Sequence, residues 1–120
     1  MKATIASLIF LLLSLAVSSQ TYKYIGIEEG LSNQKIYRIQ KDARGYMWFL
    51  THVGIDRYNG KEIKHYKLKE GDRELDPLLN INWTYLDKTG TLLVTGKQGR
   101  IFRYDSGHDR FVQIYNMYNY

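Results

Sequence analysis

From residue 20 onward the apolar positions come in short runs broken by glycine-bearing turns, and no stretch keeps helical spacing through several turns. The runs "KIYRIQKD" (35–42), "YMWFLT" (46–51), "IDRYN" (55–59) and "EIKHYKL" (62–68) are rich in β-branched and aromatic residues, the composition of strands. Turns at "ARG" (43–45), "HVG" (52–54) and Gly60-Lys61 separate them. Asn59-Gly60 suits a tight turn because both residues tolerate positive φ. The nearly continuous apolar run 46–51 fits a strand covered on both faces. A second set follows as "INWTYLD" (81–87), "TLLVTG" (91–96), "RIFRYD" (100–105) and "RFVQIY" (110–115). The chain's beginning is different. Behind Lys2, Ala3–Val17 is one uninterrupted apolar run followed by small residues, the pattern of a signal peptide cleaved near Ser18 or Ser19. It falls short of the roughly 20 apolar residues that a spanning helix needs.

The two sets are one pattern written twice. Asp42 aligns with Asp87, Gly45 with Gly90, Trp48 with Leu93, Phe49 with Val94 and Gly54 with Gly99. After small insertions, Arg57 aligns with Arg103, Tyr58 with Tyr104 and Ile63 with Phe111. A period of 45–48 residues built from strands is the length of a propeller blade. The predicted fold class is therefore all-β, with four-stranded antiparallel propeller blades, about two blades of an incomplete β-propeller, behind a signal-peptide helix. Its parts are a signal peptide (1–19), a lead-in (20–34), blade 1 (35–68), a polar linker (69–79), blade 2 (80–115) and the tail or start of a further unit (116–120). A four-stranded meander has two apolar faces and cannot hide either alone, so stacked copies share one pattern. Trp48 and Phe49 read as filling between blades, each worth about 2–3 kcal/mol when buried. Gly54 and Gly99 read as tight turns between strands.

The stretch "GLSNQKIYRIQKDARGYMWFLTHVGIDRYNG" (30–60) resembles the two-component regulator propeller repeats that build the exported sensor half of hybrid two-component systems in Bacteroidetes-type bacteria. The resemblance rests on Gly30, Leu31, Ser32, Ile36, Ile39, Asp42, Gly45, Trp48, Phe49, Thr51, Gly54, Arg57, Tyr58, Asn59 and Gly60. It continues in the second unit through Asp87, Gly90, Gly99, Arg103, Tyr104 and Asp105. Leu50 and Thr95 stand where the family usually has glycine, and a bulky residue there is expected to crowd a close strand approach. The resemblance implies a periplasmic, non-catalytic sensor segment. Its parent would supply more blades, a membrane helix and a histidine kinase outside this chain.

Composition adds little to that picture. Seventeen basic and twelve acidic residues give a net charge of +5, mixed along the chain, which marks no nucleic-acid surface. The densest basic stretch, "KEIKHYKLKE" (61–70), reads as a solvated strand face. There is no cysteine, hence no disulfide to brace a small exported domain. His52, His65 and His108 match no metal-ligand spacing, so no metal or other cofactor is expected. "GKQG" (96–99) lacks the ending and the helix of a phosphate loop. "NWT" (82–84) is a glycosylation acceptor lying within a predicted strand. Asp42 and Asp87 read as caps of their own turns.

The loops between the second and third strands, 51–54 and 95–99, leave His52, Lys97 and Gln98 as candidate ligand-binding residues. The expected ligand is an oligo- or polysaccharide. The other expected partners are the remaining blades of a parent chain or a second copy of this one. Two further readings stand beside the sensor segment: a self-associating secreted carbohydrate-binding or scaffold protein, and a polysaccharide-acting enzyme. The enzyme would require a cluster of acids or histidines that the sequence does not gather.

Overall fold

In the computed structural model, the described residues are 1–13, 19–77, 81, 83–96 and 98–117. One helix, α1 (Lys2–Leu13), opens the chain and carries no acidic residue in its first turn. Among the described residues no helix is long and apolar enough to cross a membrane. Everything that follows is strand and turn.

Blade 1 is a four-stranded antiparallel meander of β1 (Ile36–Lys41), β2 (Met47–Thr51), β3 (Gly54–Tyr58) and β4 (Ile63–Tyr66), paired in that order. A two-residue hairpin comes next, β5 (Lys69–Glu70) with β6 (Arg73–Glu74). Blade 2 repeats the meander with β7 (Trp83–Leu86), β8 (Leu92–Thr95), β9 (Arg100–Asp105) and β10 (Arg110–Asn116). The register confirms the repeat residue by residue. Tyr58 pairs with Ile63 across β3–β4, and Tyr104 pairs with Phe111 across β9–β10. The sheets are not closed into a ring.

The segment 69–79, read from sequence as a plain linker, holds the β5–β6 hairpin. Leu75 N–H donates to the Leu68 carbonyl at 2.9 Å, and both side chains are buried in the core. Two leucines flanking a polar hairpin thus pin it against the blades.

The core lies between the two sheets. Trp48, Leu50, Ile55 and Tyr66 of blade 1 meet Leu92, Val94, Phe102 and Tyr104 of blade 2. The aromatic rings pack edge-on or tilted, with Trp48 and Tyr104 at 4.8 Å between centroids and Tyr66 and Phe111 at 5.7 Å. Phe49 does not join this filling. It alternates to the opposite face with Thr51 and Asp56. There the lead-in closes over blade 1: Leu31 is buried, and Ser32 donates through both its N–H and its hydroxyl to Asp56 Oδ2, at 2.7 and 2.8 Å.

Leu50 does not push strands apart. It is 1% exposed within the inter-blade core, and the β2–β3 register runs unbroken through Leu50 opposite Ile55. The irregularity falls on the β1 side, between Ile36 and Arg38, where Tyr37 is the extra residue.

The two β1–β2-type turns are built alike. Asp42 Oδ1 accepts from the N–H of Arg44 and Tyr46, and Asp87 Oδ1 from the N–H of Thr89 and Thr91. The turns also touch, since Ala43 N–H donates to the Gly90 carbonyl at 3.1 Å. Gly90 has φ +74°, and a Cβ there would overlap that of Ala43. It serves both the turn and the contact between blades.

Candidate functional site

Two groups of polar and aromatic side chains stand out. The first sits at the end of the blades where β2 turns into β3. His52 lies in that turn, and its Nδ1 shares a 2.6 Å hydrogen bond with the hydroxyl of Tyr37 on β1. Tyr37 reaches it because the bulge in β1 makes it the extra residue, and bulges commonly re-aim a side chain beside a site. Lys35 Nζ stands 5.5 Å from the centre of the Tyr37 ring. On the neighbouring inner strands, Arg38 of β1 stacks its guanidinium 3.1 Å from the ring centre of Trp83 on β7. Tyr37 is 50% and Trp83 41% exposed, so both aromatic faces remain open to solvent.

Of the residues singled out from sequence, His52 belongs to this group. Gln98 occupies the equivalent turn of blade 2, where its Oε1 accepts from Arg100 Nη1 of its own blade. Lys97, and Asn82 of the "NWT" sequence, lie outside the described residues. Lys35, Tyr37, Arg38 and Trp83 escaped the sequence reading because it searched loops alone. Their signal was present as aromatic residues at matching places on the two inner strands, Tyr37 in "KIYRI" and Trp83 in "INWTY".

The second group lies between the blades. Arg57 of β3, its side chain 14% exposed, donates through Nη1 to the Tyr104 hydroxyl and to Asp109 Oδ1, the latter at 3.1 Å. Its guanidinium stands 4.5–5.8 Å from the ring centres of Tyr46, Trp48, Tyr66 and Tyr104. Asp109, at φ +50° before β10, also accepts from Tyr66, Tyr104 and Lys64. Burial pushes the Asp109 carboxyl up, but hydrogen bonds from Lys64, Tyr66 and Tyr104 and the charge of Arg57 outweigh it and hold the group well below the usual carboxylate range. Burial and the bond to Asp109 push the Tyr66 phenol far above its ordinary value.

This arrangement fixes one blade against the next and offers no nucleophile with an activating base. Ser32 and His65 both bond to Asp56, which separates them, so the serine has no histidine to take its proton. Among the described residues no three His, Asp or Glu side chains group as a metal site.

Residues 30–52 match the model of a family described as "Two component regulator propeller". The chain carries a two-component regulator propeller repeat. Two solved structures, both of the extracellular domain of BT4673 from B. thetaiotaomicron, share its fold with a TM-score of 0.60 and 23% identity. One is described as part of a one component system, the other as part of a hybrid two component system. The matches cover 83% and 80% of this chain and 14% of each of theirs, so the chain spans about a seventh of their length. No curated protein matches the chain. The matched span of the repeat runs from the lead-in, through Ser32 on Asp56, to the site turn at His52.

Proposed function

We propose that this chain is the exported, ligand-sensing propeller segment of a two-component regulatory protein of the hybrid sensor histidine kinase kind, non-catalytic by itself. The observation that carries the reading is the regulator propeller repeat at residues 30–52, set in a fold shared with extracellular domains. An apolar α1 behind Lys2 suits an export signal cleaved near Ser18 or Ser19, which sends the domain to the periplasm. The ligand is an oligo- or polysaccharide. Its rings stack on the open faces of Trp83 and Tyr37, and its hydroxyls bond to Lys35 and His52. Signal output belongs to parts of the parent protein outside this chain.

Titrating the mature chain with a panel of oligosaccharides while following tryptophan fluorescence tests this. A saturable change with at least one sugar is expected, weakened about tenfold or more by Trp83→Ala. A flat response across the panel, or binding that ignores Trp83→Ala and Tyr37→Ala, would count against it. Autophosphorylation by the chain alone would overturn its non-catalytic assignment.

A further inference from the structure

The two blades use the same arginine differently. Arg57 crosses from blade 1 to Tyr104 and Asp109 of its neighbour through Nη1, and its Nε is buried without a hydrogen-bond partner among the described residues. Arg103, its repeat counterpart on the outward face of blade 2, has the reverse arrangement. Its Nε donates to Asp87 Oδ2 at 2.8 Å, Nη2 lies 3.5 Å from Thr89 Oγ1, and Nη1 has no partner among the described residues. Asp87 is available because Leu93 stands where blade 1 has Trp48, whose indole N–H occupies the matching oxygen of Asp42 at 2.8 Å. Arg103 is thus held from behind, with the crossing atom unused. Around it blade 2 leaves Val112 38% and Ile114 54% exposed.

We propose that this face of blade 2 is a docking surface for another β-blade, one that presents a tyrosine–aspartate pair to Arg103 as Tyr104 and Asp109 present theirs to Arg57. The inter-blade contact already present is the template. A second copy of this chain does not fit the requirement. Its free blade would be blade 1, whose Tyr58 matches Tyr104 by register. Counting back two residues from the strand-four partner reaches Asp109 in blade 2 but Lys61 in blade 1. Lys23 of the lead-in already donates to the Tyr58 hydroxyl at 2.7 Å and stands 5.0 Å from its ring centre. Arg103 of one copy would meet Lys61 and Lys23 of the other, like charges at the place where the template has an acid. The partner is therefore a blade of different sequence carrying the acid. This rests on the sheet stacking and stands apart from any sensory role.

The experiment appends to the mature chain a further copy of residues 69–117, which carries its own counterparts of Tyr104 and Asp109. Thermal unfolding is compared with the parent chain, and the parent's mass in solution is measured by light scattering. The parent should be a monomer, and the fusion should melt about 5 °C or more above it. Replacing the added copy's aspartate by lysine should abolish that gain, as should Arg103→Glu, and combining the two should restore part of it. A parent dimer would overturn the proposal. So would a gain that survives the aspartate-to-lysine change, an added copy whose amides exchange at once with solvent, or a charge swap that restores nothing.

Discussion

Blade 1 and blade 2 are built from one repeat, yet their second strands meet different surroundings. In β2, Trp48, Phe49, Leu50 and Thr51 are all buried, because blade 2 covers one face and the lead-in covers the other. In β8, Leu92 and Val94 are fully buried while Leu93 and Thr95 stay half-open, a clean alternation. The difference lies in the neighbours. A blade's hydrophobic pattern specifies two buried faces, and the number it buries depends on what is stacked against it. The same contrast appears in the arginines, one locked between sheets and one turned back onto its own turn.

The sharpest way to probe that contrast is to truncate matched positions. Trp48→Ala should cost about 3–5 kcal/mol, since it empties a fully enclosed site and strands the second oxygen of Asp42. Leu93→Ala, at the equivalent position, should cost about 1 kcal/mol or less because the site is already partly open. Denaturant unfolding of the two variants separates these outcomes, and equal losses would show that the burial difference has no energetic weight.

Glycines at matched turns give a smaller effect. Gly45→Ala and Gly90→Ala both force alanine into a left-handed conformation, which costs about 1 kcal/mol. Nothing lies within 4 Å of a Cβ at Gly45, whereas one at Gly90 overlaps Ala43 of the other blade. Gly90→Ala should therefore lose about 2 kcal/mol more. Additional Ala43→Gly should recover part of that loss and do nothing for Gly45→Ala.

The smallest expected effect is on pH. Asp109 has its folded value depressed, so its contribution is complete above the ordinary carboxylate pKa of about 4 and is lost as pH falls below it. Asp87, held low by bonds from Thr89, Thr91 and Arg103, acts with the same sign. Tyr66 is raised, so its contribution is complete below about pH 10 and fades as pH climbs beyond. Melting temperature should be flat between these limits and fall outside them. Asp109→Asn should shallow the acid limb, and an unchanged limb would remove the residue from the balance.

Much of the fold was legible in the chain because period-two runs, turn glycines and repetition at fixed spacing all reflect backbone geometry. The strands, the meander order and the pairing of Ile63 with Phe111 across the repeat follow from that. Less legible was anything set by contacts far apart in sequence. Phe49 turned to the lead-in because strand alternation splits it from Trp48. Leu50 filled the core where a family glycine suggested crowding. Asp109, which gathers four donors, looked like one polar residue in a hairpin insertion. At the candidate site His52 was visible as a loop residue. Tyr37 joined it through a bulge in β1, and Trp83 through the stacking of two inner strands, and no local pattern announces either.

The stacking of the blades is tested most directly by a double-mutant cycle on Arg57 and Asp109, using Arg57→Leu, Asp109→Asn and the pair, with stability read from denaturant unfolding. If the two sheets are joined as described, the cycle should return a coupling of about 1 kcal/mol or more. Strictly additive losses would mean that the arginine and the aspartate act separately, and that the blades are not held together through this contact.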